Sequence, residues 1–159
     1  MIAYHGSTVQ IQKPDIVHSK KYLDFGRGLY LTTYTQQAEK WARRKAIRTD
    51  GQPIVNVYML PDTWDGLQVM RFHGADEKWL DFVCASRKGN IPEKPYDVII
   101  GNVADDDVFK TVDLYLKGIW TKEKALEELR YYKQNDQICI ASEAALDKIT
   151  FLKAYGLEV

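Results

Sequence analysis

"FGRGLYLTTYTQQAEKWA", residues Phe25 to Ala42, holds two changes of local rule within one short stretch. Two glycines flank Arg27, then come Leu29, Tyr30 and Leu31, and from Thr35 the apolar spacing becomes helical. Glycine lets the backbone turn tightly or lets another group approach closely. The stretch "GLYLTT" (Gly28 to Thr33) is rich in β-formers and predicts a strand. Thr35 is placed as the N-cap of a helix through "QQAEKWARRKAI". A turn, a strand and a helix in series show that strands and helices are mixed, in a form that depends on the remaining segments.

Outward from that stretch, "IAYHGS" (Ile2 to Ser7) predicts a first strand. Asp50-Gly51 ends the helix, and strands are expected at Pro53 to Leu60, Leu67 to Phe72 and Tyr96 to Val103. Trp79, Leu80, Phe82 and Val83 lie at helical spacing within Ala75 to Lys88. Helical patterns also cover residues 105–118 and Thr121 to Lys133, and a brief one begins at Glu143. Gln137 to Ser142 predicts a strand, and residues 150–159 a final one. The elements mix without regular βαβ alternation. This predicts a single α+β domain with a split mixed or antiparallel sheet core and flanking helices, rather than a doubly wound sheet.

A chain of 159 residues can bury a core without disulfides. Apolar residues at 45% and charged residues at 28% are ordinary for a globular protein, and the net charge is zero. No overall field draws it to nucleic acid or to an anionic membrane, although "WARRKAIR" (Trp41 to Arg48) is a local basic patch. Cys84 and Cys139 sit in apolar runs and are expected as buried free thiols. Neither a disulfide framework nor metal-ligand spacing is visible, so no metal is expected. No secretory signal or membrane-length apolar run is read, which gives a cytoplasmic expectation. The acidic run Asp105, Asp106 and Asp107 suits the first turn of a helix, with a metal site or substrate positioning as the other uses.

Three stretches point to chemistry in combination: "YHGS" (Tyr4 to Ser7), "FGRGLYLTTYTQQAEKWA" and "DQICIASEAALDKITFLKAY" (Asp136 to Tyr155). In this order they resemble motifs of the ADP-ribosyltransferase superfamily, in the branch containing diphtheria toxin and the poly(ADP-ribose) polymerases. More narrowly, the chain is similar to short bacterial relatives of that branch, some associated with small antitoxin proteins. The resemblance implies NAD+ as substrate and assigns roles to matching positions. His5 would hydrogen-bond a ribose hydroxyl, and the backbone of Gly6 would grip the nicotinamide carboxamide. Tyr30 and Trp41, eleven residues apart, would hold the cationic ring between π-faces, and Arg27 would pair with the pyrophosphate. Taken singly, Tyr30 is also an ordinary strand aromatic and Trp41 an ordinary core residue of a helix.

The chain departs from the family pattern at Gln137, which stands where a late strand usually carries glutamate. Gln137 can accept the ribose hydrogen bond but carries no charge, and removing one such electrostatic stabiliser costs about 10²–10³ in rate. The resemblance therefore implies transfer of one ADP-ribose without polymer, from a toxin or effector acting on a protein or nucleic-acid acceptor. Gln137→Glu is expected to raise the rate. An NAD+-binding interaction module without chemistry, an NAD+ glycohydrolase and an RNA phosphotransferase on the same fold are the alternatives. Asp136 should point away from Gln137, because neighbours on a strand face opposite sides, and Glu143 should serve as a helix-dipole partner.

Overall fold

The computed structural model describes residues 1–19, 23–90, 95–104, 106–131 and 135–158. In chain order the elements are β1 (Ile2–Ser7), β2 (Leu29–Leu31), α1 (Thr35–Thr49), β3 (Ile54–Met59), β4 (Val69–Arg71), α2 (Glu77–Arg87), β5 (Val98–Asn102), α3 (Asp106–Leu116), α4 (Lys122–Leu129), β6 (Asp136–Ile140), α5 (Glu143–Leu146) and β7 (Thr150–Gly156). The fold is α+β. One sheet has the order β1-β3-β7 and is antiparallel throughout. The other has the order β2-β6-β5-β4, with β4 and β5 parallel and the remaining pairs antiparallel.

Period-two alternation sorts the side chains into three cores. Leu29, Leu31, Val98, Ile138 and Ile140 from one sheet meet Ala3, Tyr58 and Leu60 from the other side, filling the space between the sheets. On the outer face of the second sheet, Ile99 and Cys139 pack against Trp79, Leu80 and Val83 of α2, Val112 of α3 and Leu129 of α4. On the outer face of the first, Val55 packs against Ala38 and Ala42 of α1. The layers therefore run helix, sheet, sheet, helices.

Expected boundaries shift by a few residues. α1 begins at Thr35 itself: Tyr34 is the N-cap, in extended conformation and with no side-chain hydrogen bond, so Thr35 does not cap. Elsewhere polar caps do what their chemistry suggests. Asp76 accepts from the Trp79 N–H at 2.9 Å, Thr121 caps α4 and Ser142 caps α5. The expected strand 67–72 shrinks to three residues, and the pattern begun at Thr121 ends at Leu129. Cys84 and Cys139 are buried free thiols. Among the described residues no helix is long and apolar enough to cross a membrane, and no group of three or more His, Cys, Asp or Glu is placed to hold a metal ion.

Candidate functional site

The two sheets touch at their edges. Tyr4 of β1 and Thr32, the residue after β2, exchange backbone hydrogen bonds at 2.8 and 3.0 Å. One residue along β1, His5 turns its ring to the backbone of β2 and donates from Nδ1 to the Tyr30 carbonyl at 2.7 Å. A carbonyl only accepts, so Nδ1 carries the proton and Nε2 is left as an acceptor. Burial, then the positive charge of Lys45, push the His5 pKa down to about 3 against that hydrogen bond. The ring is therefore neutral at physiological pH and offers a lone pair, not a charge.

A cavity of about 640 Å³ opens at this junction. His5, Tyr30, Trp41 and Gln137, from four separate parts of the sequence, all line it. The local reasons differ. Tyr30 lies opposite Cys139 across the β2–β6 pair, and Gln137 sits two residues before Cys139 on the same face. Trp41 is half-buried on α1, whose Ala38, Ala42 and Ala46 form a small-residue stripe at every fourth position. That stripe lets α1 lie close over β1 at Gly6.

Gly6 owes its identity to that approach. A Cβ there would fall 2.2 Å from the Ala38 carbonyl oxygen and 2.6 Å from the Ala42 nitrogen. Its carbonyl accepts from Lys45 Nζ at 2.7 Å, and Gly6 does not itself line the cavity. The other glycines also act through packing and turn geometry. Gly26 takes a left-handed φ of 82°, while a Cβ on Gly28 would meet Cys139 Sγ at 2.5 Å. The Tyr30 hydroxyl closes the turn, donating to the Gly26 carbonyl at 2.5 Å and accepting from the Phe25 N–H at 2.9 Å. Burial holds this phenol well above its ordinary pKa, so it remains a donor.

Arg27, expected at the pyrophosphate, is exposed and is not among the cavity residues. The cations that line the cavity are Lys13, Lys45 and Arg48, the last two from the "WARRKAIR" patch. Gln137 is 3% exposed, and its Nε2 donates to Asp24 Oδ2 and to the Asn102 carbonyl, both at 3.2 Å. Asp136 faces away from it and accepts from the Thr33 N–H at 2.9 Å and the Thr32 hydroxyl at 2.8 Å. Glu143, in the first turn of α5, accepts from the Ile16 N–H. Asp105 and the side chains of Asp106 and Asp107 lie outside the described residues. Neither cysteine supplies a ready nucleophile: burial pushes Cys139 up to about 12 and raises Cys84.

One wall has no motif in the sequence. The segment after β1, including Val9, Ile11 and Lys13, is held by the fully buried Asn56 of β3. Asn56 Oδ1 accepts from the Ile11 N–H at 2.7 Å and its Nδ2 donates to the Val9 carbonyl at 3.0 Å. The Tyr58 hydroxyl donates to the Ile11 carbonyl at 2.6 Å. A polar Asn within the apolar run "PIVNVYML" is the signal that could have revealed this clamp.

Residues 1–151 match the model of the family described as "Protein of unknown function (DUF3990)", and the chain belongs to that family. No curated protein matches it.

Proposed function

We propose that this DUF3990 protein is an NAD+-dependent mono-ADP-ribosyltransferase. The observation that carries the reading is the convergence of His5, Tyr30, Trp41 and Gln137 on one cavity with a neutral His5 acceptor. In this reading a ribose hydroxyl donates to His5 Nε2, and the nicotinamide lies against the rings of Tyr30 and Trp41. The pyrophosphate pairs with cations among those lining the cavity, Lys13, Lys45 and Arg48. Arg27 has no part in it. Gln137 accepts from the ribose hydroxyl next to the reacting carbon.

The bond that breaks joins the nicotinamide nitrogen to the ribose. Its electron pair leaves with nicotinamide, which departs neutral, and the ribose carbon becomes oxocarbenium-like. An acceptor nucleophile then bonds to that carbon and gives up its proton. A cationic ring between two π-faces is attracted by about 0.5–2 kcal/mol per face, and that attraction weakens as the ring loses its charge. The aromatic pair therefore serves binding, and the rate depends on what faces the developing ribose cation.

The test is titration calorimetry with NAD+ alongside nicotinamide release, using the intact chain. The reading expects saturable binding, release of nicotinamide, and binding weakened about 5–30-fold in Trp41→Ala, the equivalent of ~1–2 kcal/mol. Absence of NAD+ binding refutes it. Binding without nicotinamide release or label transfer, with any acceptor offered, favours the interaction-module alternative that the uncharged Gln137 motivates.

A further inference from the structure

Asp24 has no counterpart among the motif residues, yet it lines the cavity beside Gln137. Its Oδ1 accepts from Arg87 Nε at 2.9 Å and from an Arg87 terminal nitrogen at 2.6 Å. Its Oδ2 accepts from Gln137 Nε2 at 3.2 Å and from the Ala104 N–H at 3.3 Å. The two side chains of the ion pair are 15% and 12% exposed, and Arg87 also lies 4.4 Å from the centroid of the Phe109 ring. Arg87 and Gln137 thus engage opposite oxygens. The pair forms a dipole whose negative end is turned toward Gln137.

This arrangement fixes the amide. Both partners of Gln137 Nε2, a carboxylate and a carbonyl, can only accept, so the nitrogen must point at them and Oε1 must point away. Among the described residues no buried side-chain nitrogen or oxygen lacks a partner. Oε1 has no partner among those residues, which places it in the part of Gln137 that is open to the cavity.

We propose that Asp24 is the positioning residue for Gln137, holding Oε1 toward the ribose and polarising it through a charge-assisted hydrogen bond. The inference rests on the transferase reading above. It places the negative charge missing from position 137 one hydrogen bond further back, on a residue 113 positions earlier in the chain. It also reverses the expectation for Gln137→Glu. A carboxylate introduced about 3 Å from Asp24 would have to share a proton with it, since like charges at that separation do not both ionise. Among the described residues, the titratable groups that interact with Asp24 are the Arg87 guanidinium, the Tyr30 phenol and the Cys84 thiol, and burial keeps the last two neutral.

The experiment compares wild type, Asp24→Asn, Gln137→Glu and the double variant, in which amide and carboxylate exchange places. Three readouts are taken on each: NAD+ affinity, single-turnover nicotinamide release from pH 5.5 to 8.5, and melting temperature over the same range. Asp24→Asn should slow release at least about tenfold, the equivalent of ~1.4 kcal/mol, with affinity changed less than about threefold. Gln137→Glu should be slowest at high pH, and its melting temperature should recover on acidification. The double variant should regain most of the rate with a wild-type-like pH profile. Asp24→Asn releasing nicotinamide at the wild-type rate overturns the role of Asp24 alone, and so does a double variant no faster than the slower single one. A wild-type protein that binds NAD+ but releases no nicotinamide overturns the transferase reading, and this inference with it.

Discussion

Gly6→Ala is the sharpest test of how the site is assembled, because the obstacle is main chain. The added methyl would lie 2.2 Å from the Ala38 oxygen, 2.6 Å from the Ala42 nitrogen and 2.9 Å from Trp41 Cβ. Ordinary contact needs about 3.5 Å, so α1 would have to retreat from β1 by roughly 1 Å. No side-chain rotation relieves a clash with a helix backbone. The helix is 15 residues long and is tied down by Lys45 Nζ on the Gly6 carbonyl. Overpacking typically costs about 1–3 kcal/mol, and rigid neighbours put this case near ~3. For a chain of this length, that lowers the melting temperature by about 6–12 °C. Because Trp41 and Lys45 ride on the displaced helix, NAD+ affinity should fall as well. Thermal denaturation by circular dichroism, followed by calorimetry with NAD+ at a temperature where the variant is folded, reads both effects. A variant melting within about 2 °C of wild type would show that β1 and α1 are not packed as described, and the account of Gly6 would fail.

Three further expectations follow from the same geometry. His5 has its pKa lowered to about 3 in the folded chain, against 6.5 without the fold. Between those values the unfolded chain binds the proton and the folded chain does not, so stability is lost as pH falls from about 6.5, by up to ~1.4 kcal/mol per pH unit. His5→Gln should show a shallower decline in urea titrations between pH 6.5 and 4, and equal slopes would rule out a buried neutral ring. Tyr30→Phe keeps the aromatic face but removes the hydroxyl that closes the Phe25–Gly26 turn. It should lower stability by about 1–3 kcal/mol and leave NAD+ affinity within about threefold, a separation that unfolding curves and calorimetry can check together. Asn56→Ala strands the Ile11 N–H and the Val9 carbonyl. Hydrogen exchange and protease cutting in the segment after β1 should rise at least about tenfold, and unchanged protection would place that wall's anchor elsewhere.

Much of the fold could be read from the sequence because both sheets have one face in a dry core and obey a period of two. Ile138 and Ile140 face the other sheet and Cys139, between them, faces the helices, an alternation that marked the strand without saying which face is which. The helix start at Tyr34 was less legible, since nothing in its side chain does the capping and the signal at Thr35 was a residue late. For the site, His5, Tyr30, Trp41 and Gln137 were visible as ordered motifs. Gly6 was visible too, but its reason was not, since contact with α1 depends on a helix more than thirty residues away. The Asp24–Arg87 pair spans 63 residues and the Asp24–Gln137 contact 113, distances at which no local spacing carries information. Arg27 looked eligible because it sat between two glycines, but the turn points it to solvent.

The placement of the cavity has a physical logic in the edges of the two sheets. An edge strand presents backbone groups that need partners, and joining two edges satisfies some of them. Here β1 and β2 are the edges, and they pair only around Tyr4 and Thr32 before diverging. His5 spans the start of that divergence by donating to a β2 carbonyl that the short β-bridge leaves available. Its ring orientation is therefore set by main chain, which cannot change rotamer. Tyr30 is likewise fixed by the backbone of its own turn, and Gln137 by Asp24 and the Asn102 carbonyl. Three of the four motif side chains are thus held by hydrogen bonds, those of His5 and Tyr30 to main chain alone, and the proposed chemistry would draw on that preorganisation. Trp41 is the exception. It is carried by a helix whose distance from β1 depends on a single missing methyl group, so the wall formed by α1 is the one that a packing change should move first.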